Sequence, residues 1–467
     1  MRLLSRGIVA AIIVFCAVQL IRPKIPARPA AAEVQAPAEV QAPAEVKRIL
    51  EKDCYSCHSD ERRLSWFDEI VPAYWLVRHD VLSAREHLSF STLGSKPAAA
   101  QKGALFEAAN MIQLGAMPLP QFVQLHPEAR VSDAELLTLK TYLAPWSVAP
   151  PLSNPSNSGH AEPNEGTTAS VAPAVSLDSV QPEWNGLAFD PLFEGWKLLS
   201  TTDRGDNNTF RFILGNDIAV RAAREGAISP WPDGARFAKI AWQQELGADG
   251  LVTPGKFIQV ELMVKDAGRY ESTDGWGWGR WRGLDLKPYG GSSKFTVECT
   301  GCHLPVAGDD YVYTLPMTTA NAKGTEIVNA RAAALPAGLP YQPLGWNAIT
   351  MYVDRLRRTT STLYGNDVAI SAVHFREAST TDNSGPKYPP GAVLALVTWA
   401  QRNDPHWFGG RIPDVPLSVE FVEAADVDQA GRYRRFAGEG LVERTMLAQD
   451  STQRTAFILR LPPVRLP

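Results

Sequence analysis

Two short motifs, Cys54-Tyr55-Ser56-Cys57-His58 and Cys299-Thr300-Gly301-Cys302-His303, constrain this chain more than anything else in it. Two cysteines three residues apart lie on one helical turn. Their sulfurs can add there to the two vinyl groups of a haem, while the adjacent histidine reaches the iron. Zinc would want two more ligands close by, and a thioredoxin-like redox pair has no use for the histidine. The motifs therefore read as two covalently attached c-type haems, one on Cys54 and Cys57 with His58 on the iron, the other on Cys299 and Cys302 with His303. Of five cysteines in the chain these leave only Cys16, so none pair as a structural disulfide, although an exported protein would permit one. Cys16 follows Val14 and Phe15 and reads as a small apolar residue rather than a lipidation site.

Export is indicated by Arg2 and Arg6, followed by an apolar run over residues 7–21 that only Gln19 interrupts. A helix over that run rises about 22 Å, short of a ~30 Å hydrocarbon core, as in a signal peptide. Arg22, Lys24 and Arg28 just beyond resemble the flank of an anchor. The expectation is a periplasmic protein that residues 7–21 can tether to the inner membrane. A net charge of −4, without a basic run in the body of the chain, gives nucleic acid no electrostatic hold.

Length and composition divide the chain. At 467 residues it has room for roughly three domains. Residues 22–46, an Ala/Pro-rich tether, contain VQAPAE twice, and residues 147–182 are a Pro/Ser-rich linker; neither composition builds a core. Residues 47–146 read as a small α-helical cytochrome c-like domain. Val46, Ile49 and Leu50 form a stripe running into Cys54, and Ser132 with Glu135 forms a capping box before Leu136, Leu139 and Leu143. Beyond 182 the chain turns to β-rich runs, 210–214, 235–242, 257–264 and 294–297.

That region repeats itself. Gly215-Asn216-Asp217 returns as Gly365-Asn366-Asp367, Trp231-Pro232-Asp233-Gly234 as Tyr388-Pro389-Pro390-Gly391, Trp242 as Trp399, and Ala267-Gly268-Arg269-Tyr270 as Ala430-Gly431-Arg432-Tyr433. The order predicts two β-rich (α+β) domains, 183–335 and 336–467. The second is a degenerate, haem-free copy, because residues 459–467 hold no cysteine or histidine where a motif would fall.

A sixth ligand separates a closed electron-transfer iron from an open one. In the first module Met117, within Gly115-Ala116-Met117-Pro118, is the candidate, with Met111, His79 and His87 as rivals and core packing as the bland alternative. Residues 46–88, with Trp66-Phe67, Trp75-Leu76-Val77-Arg78-His79 and Arg85-Glu86-His87-Leu88, then Met117-Pro118 and His126-Pro127, make this module similar to the haem-binding-domain family of exported cytochromes. It departs from that pattern at Leu64-Ser65, where an aromatic followed by proline is expected.

Residues 183–320, through Phe212-Ile213-Leu214-Gly215-Asn216-Asp217, Trp231-Pro232-Asp233-Gly234, Cys299–His303 and Asp310-Tyr311-Val312, resemble the cytochrome P-460 family. The resemblance implies a largely β fold with a five-coordinate haem, His303 proximal, that oxidises hydroxylamine and hands electrons to a redox partner protein. Related cytochromes c prime-beta only bind gases such as nitric oxide. In the hydroxylamine-oxidising members a lysine is cross-linked to the haem, and Lys239 is the candidate here. On a strand it shares a face with Phe237 and Ala241, an apolar setting, although an edge-strand lysine reaching for water would look the same. Against the second copy Lys239 falls on Leu396 and Arg211 on Ser361, so both charges vanish where the haem does. Candidate proton acceptors are Glu261, Glu271, Asp274, Glu298 and Asp310, each of which also reads as a surface group. Phe210, Phe212 and Phe237 are candidate pocket walls or core, and residues 275–281 are read as a loop or hairpin over the haem edge.

Overall fold

The structure is a computed structural model. It describes residues 2–26, 42–61, 64–147, 176–292, 294–317, 333–377, 388–424 and 432–467. Two compact units emerge, Met1–Val148 and Ala149–Pro467. The first VQAPAE copy lies outside the described residues, as do the first two residues of the second, most of the 147–182 linker and Ala430-Gly431.

The first unit is helical: α1 (Arg2–Val18), α2 (Ala44–Asp53), α3 (Tyr55–His58), α4 (Ala73–His87), α5 (Phe90–Leu93), α6 (Ala98–Gln113), α7 (Pro120–Leu125) and α8 (Asp133–Ser147). Val46, Ile49 and Leu50 are buried on one face of α2, as their spacing requires. The capping box forms: Ser132 N donates to Glu135 Oε2 at 2.9 Å and Glu135 N to Ser132 Oγ at 3.3 Å. Lys52 of α2 donates to Glu135 Oε1 at 2.8 Å, tying α8 to the helix before the first motif.

The Lys52 hydrogen bond, with those from Ser132, holds the Glu135 carboxyl down to about 2 from an ordinary 4.5. A depressed carboxylate adds stability above its unfolded pKa and loses it as pH falls through the folded one. Stability of this unit should therefore drop between pH 4.5 and about 2, by about 1 kcal/mol after screening around half-exposed Lys52. Glu135→Gln should flatten that part of a denaturant-midpoint profile.

Residues 22–26, read as the start of a free tether, are docked along α4. Tyr74 Oη donates to Pro23 O at 2.7 Å, Trp75 Nε1 to Ile21 O at 2.8 Å, Arg78 to Lys24 O at 3.2 Å and Arg85 to Pro26 O at 3.0 Å. Gln19 exchanges two hydrogen bonds with the backbone of Val71. Composition hid this, because α4 recognises main-chain carbonyls, which every residue offers. No described helix is long and apolar enough to cross a membrane.

The second unit carries β1 (Lys197–Arg204), β2 (Thr209–Gly215), α9 (Asp217–Glu225), β3 (Arg236–Leu246), β4 (Leu251–Lys265), β5 (Trp276–Arg282), β6 (Lys287–Pro288) and α10 (Lys294–His303). These are followed by β7 (Asn347–Asp354), β8 (Thr359–Gly365), α11 (Asp367–Glu377), β9 (Val393–Asn403), β10 (Gly410–Glu423), β11 (Arg432–Ala437), β12 (Val442–Arg444) and α12 (Ala448–Arg460). Strands β1 to β4 and β7 to β10 form two antiparallel ladders joined at two seams. At one seam Leu251 and Val252 pair with Asp354 and Val353; at the other Asp203 and Arg204 pair with Arg411 and Gly410. The ring of eight strands closes into a barrel, and the remaining edges are the two short strands β6 and β12.

The two copies, expected as successive domains, are therefore halves of one compact unit. Their inner faces share a single core in which Phe210, Phe212, Ile240, Trp242 and Val260 of the first half pack with Met351, Val353, Val397, Trp399 and Phe421 of the second. Neither half can bury that face alone. The repeated residues have one job in each half. Asn216 caps α9 at Ala219 N and donates to Gly234 O, and Asn366 does the same at Ala369 N and Gly391 O. A Cβ on Gly215 would meet Leu199 at 2.6 Å, and one on Gly365 would meet Ala369 and Ile349 at 2.9 Å. The Ala267–Tyr270 match does not hold in space: Tyr270 precedes β5, whereas Tyr433 lies within β11.

Residues 294–297, read as strand, form the first turn of α10, where helix continuity through the cysteines overrides the β preference of Thr296 and Val297. Of the loop or hairpin expected over residues 275–281, the structure has the hairpin: they are largely strand β5, which pairs with β6. Alternation puts Trp276, Trp278 and Arg280 on one face and Gly277 and Gly279 on the other, where Cβ atoms would meet the Tyr270 ring at 2.4 Å and the Trp281 ring at 2.5 Å.

Candidate functional site

At each motif the histidine is prepared to use Nε2 as a ligand. His58 Nδ1 lies 2.9 Å from Leu88 O and His303 Nδ1 lies 2.7 Å from Tyr311 O. A neutral ring donates Nδ1–H to such a carbonyl and keeps the Nε2 lone pair for a metal. Burial lowers the pKa of His58 and takes that of His303 down to about 4, so both rings are neutral. Burial likewise pushes the thiols of Cys54 and Cys57 up to about 12 and about 11, and that of Cys299 up to about 12. All the cysteines are free of disulfides. Among the described residues no three His, Cys, Asp or Glu gather as a metal cage, so the donors fit a metal that brings its other ligands with it. Haem meets that requirement.

In the first unit Tyr55 stacks on Phe90 at 5.5 Å, and Phe90 meets His58 edge-on at 6.3 Å. Met117 is part-buried on the loop between α6 and α7, as is Met111 at the end of α6. The rival histidines His79 and His87 are exposed, and buried His126 places Nε2 3.0 Å from Asp68 Oδ1.

The second site lies on the outer face of β2–β5. Cys299 packs among Trp231, Phe237, Trp276, Trp278, Tyr311 and Val312, and the Trp278 ring sits 4.6 Å from that of His303. Strand register then sets charges across this apolar face. Lys239 is opposite Glu261, which is opposite Arg280, and Arg211 lies opposite Ala241 on the same face. Lys239 and Glu261 form an ion pair, and Arg280 Nε lies 2.9 Å from Glu261 Oε1. Lys239 sits on a strand paired on both sides, not on an edge, and its side chain is 28% exposed.

Burial opposes the charge of Glu261, but Lys239 and Arg280 outweigh it and hold the carboxyl down to about 2. Burial lowers the pKa of Lys239 and takes Arg211 down to about 10. The charges of Lys239, Glu261 and Arg280 act on His303, and Arg211 interacts with Cys302, so the row and the motif occupy one site. Arg211 Nε and Trp278 Nε1 have no hydrogen-bond acceptor among the described residues.

The other candidate acids separate. Asp310 belongs to the support of His303. It accepts from Lys265 Nζ and Trp231 N, both at 2.8 Å, and fixes Asp310 and Tyr311 at φ 50° and 65°, the turn that aims the Tyr311 carbonyl at the histidine. Asp274 accepts from Tyr311 Oη at 2.6 Å, Glu298 pairs with Arg280 at 3.4 Å, and Glu271 is exposed. Phe210 and Phe212 belong to the shared core, and only Phe237 faces the site.

In the second half Glu420 and Arg435 keep the register of Glu261 and Arg280, but Leu396 and Ser361 stand for Lys239 and Arg211. There α12 sends Arg454 to Glu420 in a bidentate pair at 2.7 and 2.8 Å, and Ile458 is buried. Side chains fill the face that carries the motif in the first half.

Residues 13–145 match the family model described as Haem-binding domain, and residues 191–314 match the one described as Cytochrome P460. No curated protein matches the chain. The geometry and the two matches agree that this is a haem cytochrome, in which a Haem-binding domain match precedes a Cytochrome P460 match.

Proposed function

We propose that the chain is an exported dihaem c-type cytochrome. In this reading the haem of Cys299, Cys302 and His303 oxidises hydroxylamine or a related small nitrogen compound, and the haem of Cys54, Cys57, His58 and Met117 relays electrons to a redox partner protein. The observation that carries it is the row Lys239, Glu261 and Arg280, with Arg211 beside it, set across an apolar face next to His303. A bound haem supplies the electron sink.

The chain's own residues handle protons and orientation. Each N–H or O–H bond broken in the substrate releases a proton, and Glu261 is the carboxylate placed to receive it. While Lys239 is charged, Glu261 is too acidic to serve as a base. A cross-link that removes that charge raises Glu261 towards the ordinary carboxylate range. Arg211 offers its unpartnered Nε as a donor to a polar substrate.

The ion pair also favours a second reading, in which Lys239 stays a protonated amine and the haem binds a gas such as nitric oxide without turnover. Weighing the haem peptides of digested holoprotein separates the two. Oxidation predicts a Lys239-containing peptide on the second haem and, for Glu261→Gln, acceptor reduction by hydroxylamine slowed on the order of 10²-fold. Cysteine-only attachment with no acceptor reduction leaves gas binding.

We further propose that the protein is periplasmic and keeps α1 as its membrane tether. The support is the docking of residues 19–26 on α4, since cleavage beyond them would detach part of the folded unit. Intact-mass measurement of the purified protein should find these residues retained; a mature chain starting after Pro26 would overturn the tether.

A further inference from the structure

One hairpin of the haem-free half reaches the segment that supports His303. Between β3 and β4 the first half turns through residues 247–250, Gly-Ala-Asp-Gly. At the matching position, between β9 and β10, the second half turns through residues 404–409, Asp-Pro-His-Trp-Phe-Gly. The longer turn leaves the barrel at the seam where Gly410 pairs with Arg204, which lays its tip against the segment after α10.

The contacts converge on the support of His303. His406 Nδ1 lies 2.8 Å from Tyr313 O, and its Nε2 lies 3.5 Å from Asp309 Oδ2. The Tyr313 ring meets His303 at 5.1 Å, His406 at 6.4 Å and Trp407 at 5.8 Å, and its hydroxyl donates to Cys302 O at 2.7 Å. Trp407 is fixed in turn: Arg204 stacks on its ring at 4.3 Å, and its Nε1 donates to Asp206 Oδ2 at 3.2 Å. Arg204 and Asp206 are themselves a fully buried ion pair. Residues 309–313, which carry the carbonyl acceptor of His303, are thus gripped at Asp310 from their own half and at Asp309 and Tyr313 from the other.

We propose that the haem-free half acts as a positioning part for the iron ligand, with His406 and Trp407 fixing the orientation of His303 through Tyr313. This gives the second half a role at the haem site although it has neither the lysine, the arginine nor a motif. Its own face is filled by Arg454 and Ile458, while its hairpin serves the other site. A histidine whose Nδ1 acceptor is held still binds iron in one orientation; release of the acceptor lets the ring rotate and weakens donation from Nε2.

The test uses full-length holoprotein and the ferrous iron–histidine stretching band of the second haem, with the midpoint potentials of both haems measured beside it. His406→Ala and Trp407→Ala should shift and broaden that band and move the second potential while leaving the first unchanged. His406→Asn keeps an N–H near the Nδ1 position and should restore the wild-type band. Replacing residues 404–409 by Gly-Ala-Asp-Gly should act like the alanine variants. A lowered unfolding midpoint with an unchanged band in His406→Ala, or an Asn variant no better than Ala, overturns the proposal. It rests on haem being held at Cys299, Cys302 and His303. A wild-type holoprotein with one haem sinks that reading, whereas two haems and a band indifferent to His406 sink this one alone.

Discussion

Asp310→Ala should destabilise the second unit by about 3–5 kcal/mol, the range for removing one partner of a buried ion pair. Lys265 is only 6% exposed and has its ammonium on Asp310 Oδ1, so the variant leaves a buried charge facing the Trp276 ring. Trp231 N loses its acceptor at the same time. The second effect is local: without the carboxylate, the left-handed backbone of Asp310 and Tyr311 keeps its turn hydrogen bonds to Ala307 O and Val306 O but loses its side-chain anchor, and the Tyr311 carbonyl is held less firmly at His303. Urea unfolding should show the loss, and Lys265→Met in the Asp310→Ala background should return a good part of it, because it removes the stranded charge. A loss under about 1 kcal/mol, or no recovery in the double variant, would contradict this account.

Trp399→Ala, in the half without a Cys-x-x-Cys-His motif, should cost about 3–5 kcal/mol. The side chain is fully buried in the core shared by both halves, and its Nε1 donates to Ala333 O at 3.1 Å. Its counterpart Trp242 donates to Arg465 O at 2.8 Å, so each tryptophan also ties down a chain segment outside the barrel. Because the halves bury one core between them, the loss should be felt on both sides of it. Hydrogen exchange followed by mass spectrometry should find β2–β4 and β7–β10 losing protection together. Faster exchange confined to β7–β10 would mean two cooperative units instead of one.

Much of the local organisation was legible because its chemistry is written in contiguous residues. The capping box needs only Ser132 and Glu135 three apart, and the α2 stripe needs only helical spacing. Lys239 could be set on a face with Phe237 and Ala241 because side chains alternate on a strand. Glu261 could not be singled out among five acids, since its neighbours come from the strands on either side and register is a tertiary property. Residues 275–281 left loop and hairpin undecided because glycines usually mark turns, whereas Gly277 and Gly279 make room for the rings of Tyr270 and Trp281 and for the Leu187 side chain.

The sequence by itself determined the donor chemistry, two cysteine pairs each followed by a histidine, and the duplication that leaves only one half with a motif. It could do so because those features are spacings along the chain. Only the tertiary structure decided which groups serve the donors. It joined the halves into one closed barrel, chose Glu261 for the row and Asp310 for the support, and brought His406 to Tyr313 across 93 positions of chain. Those partners are set by strand register and by the two seams, where the pairing of a few residues positions everything beyond them.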